Sequence, residues 1–273
     1  MWGHRAVAIA ITVIGSTALG VRVADGALAT SAQEVGAALA AIGNAAQADA
    51  PAVRGAAVQV GPTLPPEPAC EAGSLIRRVR TDRREISFTF DDGPWPSATR
   101  SIMTALESRG DRGTFFMIGQ NVREFPDIAK EVVERGHEIG NHSDSHRYSP
   151  QIIASEIAGT QDLIESVTGQ RPEFFRSPGL TMGDEIQDAA RAAGVCNVFT
   201  SVVLGDHLEP RKSASELCAR FAYTLQTGEI VLLHDGAGHR ETVQAVPCML
   251  DAAAQRGYAV VSLEQLIADG TPS

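Results

Sequence analysis

The sequence predicts an α/β protein with a parallel sheet covered by helices, either an open doubly wound sheet or a closed barrel. Three observations carry this expectation. From Glu85 onward, strand-like and helix-like stretches alternate with few interruptions. Of the 273 residues, 44% are hydrophobic, enough for a substantial core. The most conspicuous polar residues, Asp91, Asp92, His142, Arg176, Asp206 and His234, fall where strands end, and in a parallel barrel those ends share one rim.

The elements follow in order. Alternating residues up to Phe90 make a strand that Gly93-Pro94 stops, so Asp91 and Asp92 sit at its break. A turn begun at Gly93 can swing both carboxylates toward one cavity. Ser97 can cap a helix carrying Ile102 and Leu106, and Gly110 can end it. A strand at 114–118, a helix at 126–135 stopped by Gly136 and a short strand at 137–140 lead to His142 and His146. Two His four residues apart share one face of a helical turn. Ser149-Pro150 then opens a long helix with Ile153, Ile157, Ile164 and Val167 on one side, closed by Gly169. Further strands are expected at 173–176, 197–203, 230–233 and 259–263, with helices at 184–193, 214–225 and 241–256, the last kinked at Pro247. That makes seven strands and no internal repeat of fixed period.

Residues 1–29 read as an export signal or N-terminal anchor: His4 and Arg5 precede the uncharged apolar run 6–21, and Ala27-Leu28-Ala29 offers a small-residue cleavage site. Residues 30–81, rich in Ala, Gly and Pro, read as a linker. A catalytic domain is expected over 82–268 and a tail over 269–273. The formal charge of −10 leaves no basic stripe for nucleic acid or an anionic membrane surface. A neutral or polymeric substrate and a secreted or envelope location fit better, with no membrane partner beyond the N-terminal anchor and a monomeric state. Cys70, Cys196, Cys218 and Cys248 lack CxxC spacing, so disulfides are expected in an exported chain. Three pairings are open, and Cys218–Cys248 is favoured because those residues lie on successive helices.

One carboxylate of the Asp91-Asp92 pair with His142 and His146 offers three ligands of the kind that hold a divalent metal while leaving one position open. No GxSxG elbow, P-loop, HExxH or complete GxGxxG supports a rival machinery.

Five segments, Thr89-Phe-Asp-Asp-Gly-Pro94, Gly136-His-Glu-Ile-Gly-Asn-His-Ser-Asp-Ser-His146, Phe175-Arg-Ser-Pro-Gly179, Asp206 after a strand, and Ile230-Val-Leu-Leu-His-Asp235, occur in this order. At these residues the chain resembles the polysaccharide deacetylase family, carbohydrate esterase family 4, with its NodB homology domain. The resemblance implies a distorted (β/α)7 TIM-like barrel that uses a divalent metal, most often zinc but also cobalt or another ion, to remove acetyl groups from sugars. It implies Asp92, His142 and His146 as metal ligands, Asp91 as general base, Arg176 as the residue holding that base, Asp206 as the carboxylate tuning the acid and His234 as the general acid. It also places Leu232 in the acetate pocket, and a backbone N–H near Gly179 would steady the developing oxyanion.

Two positions depart from the family pattern. Gly179 and His207 stand where an aromatic residue and a Trp are common, which removes aromatic surface from the groove. The leading expectation is N-deacetylation of a GlcNAc-containing glycan, peptidoglycan before chitin-like oligomers. The alternatives are a silent glycan-binding relative, an O-acetyl xylan esterase or a small-amide hydrolase on the same fold.

Overall fold

The computed structural model describes residues 8–14, 18–24 and 69–273. The chain divides into two units, residues 1–64 and 65–273. In the first, β1 (Ala8–Ile14) pairs antiparallel with β2 (Ala18–Ala24), Ala8 opposite Ala24. The apolar run expected as an export signal therefore includes a strand pair. The expected cleavage site at 27–29 and residues 30–68 of the expected linker lie outside the described residues. Among the described residues no helix is long and apolar enough to cross a membrane.

The second unit contains β3 (Leu75–Ile76), β4 (Val79–Arg80), β5 (Glu85–Gly93), α1 (Pro96–Glu107), β6 (Thr114–Met117), α2 (Gly119–Glu124), α3 (Pro126–Glu134), β7 (Glu138–Asn141) and α4 (Pro150–Thr168). It continues with β8 (Phe174–Phe175), α5 (Asp184–Ala192), β9 (Cys196–Val198), β10 (Val202–Val203), α6 (Ala214–Thr224), β11 (Ile230–His234), α7 (Arg240–Gln255), β12 (Ala259–Val260), α8 (Leu263–Ala268) and β13 (Thr271–Pro272). The order β10-β11-β5-β6-β7-β8-β9-β3 forms one curled sheet, with β12 paired to the start of β5. Every pairing in it is parallel, as the βα alternation requires.

The single strand expected at 197–203 is two strands, and the break between them carries the chain from one side of the curled sheet to the other. Its first half, β9, pairs with β8 and β3; its second half, β10, pairs with β11. No straight strand can serve both sets of neighbours, so the chain bends at Phe199, Thr200 and Ser201. The distortion in the expected barrel is this seam.

Alternation along β5 separates two environments. Ile86, Phe88 and Phe90 point outward into a cluster with Ile102, Met103 and Leu106 of α1, Phe221 of α6 and Met249 and Leu250 of α7. Full burial of each such side chain contributes about 1.5–3 kcal/mol. Phe116, Phe174, Val198 and Ile230 form a second cluster with Leu263, Leu266 and Ile267 of α8. The expected strand 259–263 is therefore only β12, followed by a helix that Ser262 caps through Gln265 N. The short α2 was also not expected. It follows directly on β6, with Ile118 as its N-cap and no side-chain cap to signal it.

Residues on both sides of the expected catalytic domain belong to the same compact unit. Leu75–Ile76 pairs with β9, and Val79–Arg80 pairs antiparallel with Thr271–Pro272, so the end of the expected linker and the expected tail clasp each other. The disulfides are Cys70–Cys196 and Cys218–Cys248, with Cα separations of 6.3 and 6.0 Å. The first ties the start of this unit to β9; the second joins α6 to α7.

Candidate active site

The site begins with an irregularity in β5. Asp91 lies opposite Phe116 of β6, but the next register partner is Gly93 opposite Met117, so Asp92 is an extra residue. Asp92 has φ 75, a left-handed conformation rare outside glycine. Adjacent carboxylates that a regular strand would send to opposite faces both reach one cleft. The strand thus runs on to Gly93 instead of breaking before it, and the positive φ belongs to Asp92. Gly93 is needed for close approach: a Cβ there would collide with the buried Asp235 carboxylate.

The second part is the chain after β7. His142 and His146 do not share a helical turn, as their spacing suggested; they sit on an irregular loop in which Ser143 and His146 have φ 64 and 53. Glu156 of α4 holds that loop by accepting from the backbone N–H groups of Asp144 and Ser145 at 3.0 and 2.9 Å. Asn141 Oδ1 accepts from Ser143 N, while its amide donates to Ile157 O and Gln161 Oε1. The outcome resembles what a helix would give, because both Nε2 atoms face Asp92 Oδ1, at 3.5 Å from His142 and 3.1 Å from His146.

This trio fits a metal ion. Donors about 2.0–2.2 Å from one tetrahedral ion stand roughly 3.3–3.6 Å apart, close to the observed separations. Asp92 Oδ1 is buried and accepts no well-formed hydrogen bond, as an atom meant for an ion would be. His142 Nδ1–H donates to the Arg176 carbonyl at 2.7 Å, which leaves the Nε2 lone pair facing the trio. Burial by itself would raise the Asp92 carboxyl, but the His142 and His146 rings outweigh it and hold it well below the usual carboxylate range.

Arg176, fully buried, ties Asp91 to the seam. Its Nη1 donates to Asp91 Oδ1 and Thr89 Oγ1, each at 2.8 Å. Its Nε and Nη2 donate to the carbonyls of Val198 and Phe199, at 3.1 and 3.0 Å, where the bent strand leaves its ladder. The guanidinium carbon lies 4.2 Å from the centre of the Phe116 ring. Asp91 Oδ2 remains beside His142 Nε2, 3.7 Å away.

Across the cleft, the register of β11 on β5 sets His234 level with Asp91. Its Nδ1 lies 2.9 Å from Asp206 Oδ1, while Asp206 Oδ2 accepts from His234 N and Thr242 Oγ1. Burial would lower the His234 imidazole, but Asp206 reverses this and raises it to about 9. Burial would raise Asp206, but the His207 and His234 imidazoles hold it well below its usual value.

Asp91, Asp92, His142, His146, Gly179, Leu232 and His234 line one cleft of about 220 Å³. Arg176 and Asp206 lie behind it. The structure therefore brings together every candidate residue read from the sequence. Tyr148, which sequence reasoning passed over, is 63% exposed and lines the same cleft. A Cβ at Gly179 would lie 2.8 Å from its ring, so the aromatic surface expected to be lost at Gly179 is supplied from the neighbouring loop. The only signal for it is its place two residues after the His pair. Glu156 and Thr242, which support the site from helices, carried no signal at all.

A polysaccharide deacetylase family profile matches residues 78–198. The chain is 32% identical over 204 residues to a peptidoglycan-N-acetylglucosamine deacetylase from Bacillus cereus, covering 71% of this chain and 93% of the relative. It is 30% identical to a chitooligosaccharide deacetylase from a Bradyrhizobium species, covering 67% and 90%. The structure of the peptidoglycan deacetylase PdaC from Bacillus subtilis matches with a TM-score of 0.62 and 28% identity, covering 69% of this chain and 92% of that one. By sequence and by fold alike, the chain is a member of the polysaccharide deacetylase family, carbohydrate esterase family 4, whose enzymes hydrolyse acetyl groups from glycans.

Proposed function

We propose that this protein is an exported, zinc-dependent N-deacetylase of GlcNAc-containing cell-wall glycan. The observation that carries the reading is the convergence of Asp92, His142 and His146 beside an Arg176-held Asp91, facing an Asp206-backed His234 across one cleft. Asp92, His142 and His146 would hold the ion; when bound it supplies a Lewis acid for water and for the acetyl carbonyl.

The chain's own groups account for the rest. Arg176 occupies Asp91 Oδ1, so Oδ2 is the atom free to take a proton from water. His234, whose imidazolium form Asp206 favours and whose Nδ1 it fixes, presents its other ring nitrogen to the cleft and donates a proton to the departing amine. The C–N bond of the acetamide breaks, water adds to the acyl carbon, and acetate and a free amino sugar leave. Leu232 supplies apolar surface for the acetyl methyl group, and the Pro178–Leu180 turn, with Gly179 at φ 59, brings backbone close to the carbonyl oxygen.

Wall glycan as substrate is supported by the peptidoglycan-acting relatives, and a polymeric ligand by the exposed Tyr148 ring. Two disulfides support export into an oxidising compartment. Acetate release from GlcNAc oligomers and from isolated wall glycan is the test. It should stop with chelator, return with zinc and fall at least about 100-fold in Asp91→Asn. Release that persists in chelator would sink the mechanism.

A further inference from the structure

The family pattern explains one His-carboxylate cluster in the cleft; a second includes His207, which stands where a Trp is common in the family. Asp206, His207 and His234 each offer a ligand atom, all within 4.8 Å of one another. Asp206 Oδ1 lies 2.9 Å from His234 Nδ1 and 3.7 Å from His207 Nδ1. These separations bracket the roughly 3.3–3.6 Å between donors on one tetrahedral ion. Asp206 is 2% exposed, and its Oδ2 is fixed by His234 N and Thr242 Oγ1, so Oδ1 is held facing the two rings. The side chain of His207 is 38% exposed and lines the cleft, which leaves an entry path and an open coordination position.

We infer that Asp206, His207 and His234 form a second, inhibitory divalent-metal site, through which excess zinc shuts the enzyme down. This rests on the N-deacetylase reading above. A cation at this site takes the place of the proton between His234 Nδ1 and Asp206 Oδ1. That proton is released to solvent, and the ring, now joined to the metal through Nδ1, can no longer act as an imidazolium donating from its other nitrogen. Proton delivery to the leaving amine is lost while Asp92, His142 and His146 keep their own ion. Acetate release should therefore rise with the first equivalent of zinc and fall as the second binds.

The test uses the whole protein, stripped by chelator and dialysed, with zinc added during calorimetry and cobalt during absorption spectroscopy. Wild type should take up two equivalents, the weaker one coinciding with loss of acetate release. His207→Phe and His207→Gln should each weaken the second equivalent at least about 100-fold and shift the inhibition midpoint, normalised to each variant's own one-equivalent rate, by the same factor. Asp92→Asn should keep the second site and lose the first. A single equivalent in wild type, or a second equivalent and inhibition unchanged in both His207 variants, overturns the inference and leaves the deacetylase reading intact. Two equivalents without acetate release at any loading would overturn that reading and leave the second site standing.

Discussion

Replacing Arg176 by Met isolates what one buried cation does for both fold and site. Met keeps much of the volume but donates no hydrogen bond, so four bonds are lost: two to the seam carbonyls of Val198 and Phe199, one to Thr89 and one to Asp91. A buried carboxylate deprived of its partner costs about 3–5 kcal/mol. Each orphaned carbonyl adds about 1–3 kcal/mol where water cannot reach it. These contributions overlap, since water drawn in for one group serves another, and about 4–6 kcal/mol is the expected loss. That is a large share of the 5–15 kcal/mol typical of a domain. At a slope of about 2 kcal/mol per M urea, the unfolding midpoint should fall by roughly 2–3 M. Arg176→Lys should land between the two, because one ammonium can reach Asp91 and Thr89 but not both carbonyls as well. Urea unfolding followed by tryptophan fluorescence and far-UV circular dichroism measures the series. A Met variant within about 1 kcal/mol of wild type, or a Lys variant no better than Met, would refute Arg176 as the staple of the seam.

Tyr148→Ala removes the exposed ring beside Gly179; loss of about 1–2 kcal/mol of stacking should raise KM for long GlcNAc oligomers roughly 5–30-fold while kcat changes little. An unchanged KM would show that the ring does not touch sugar. The Cys70–Cys196 bridge spans 126 residues of sequence against 30 for Cys218–Cys248, so Cys70→Ser with Cys196→Ser should cost more stability than the other pair, about 3–5 kcal/mol. Equal urea midpoints for the two double variants would contradict this ordering. His137 is buried with Gly113 N–H donating to Nδ1 and Glu107 accepting at Nε2; burial lowers its pKa, though Glu107 opposes this. The unfolded chain therefore binds the proton more readily, so the contribution is intact above about 6.5 and lost as pH falls below it. Urea midpoints at pH 8 and pH 5.5 should diverge less in His137→Gln than in wild type, and equal slopes would count against it.

The chemistry was legible in the sequence because it sits in short motifs at strand ends, where residue identity and position carry the same message. Asp91, Asp92, His142, Arg176, Asp206 and His234 stood out by falling at strand ends, while their separate roles came with the family resemblance. The means of bringing them together was not legible. The His spacing suggested a helical turn, whereas Glu156 and Asn141 shape a loop, and neither residue has a local signature. The run at 197–203 looks like one strand because each half is apolar; only the curvature of the sheet, a property of seven other strands, forces it to bend. The clasp of Val79–Arg80 on Thr271–Pro272 escaped because partners almost two hundred residues apart leave no trace in either segment's composition.

The inserted residue at Asp92 has a consequence for how this chemistry can be gained or lost. A pair of neighbouring acids aimed the same way depends on chain length at one spot as much as on side-chain identity, so excising Asp92 would let Gly93 slip back into step with β6. The sheet would be spared and one of the three candidate metal ligands would vanish. An arrangement of this kind is reached by adding or removing a codon, and substitutions alone, however many accumulate, do not lead gradually toward it.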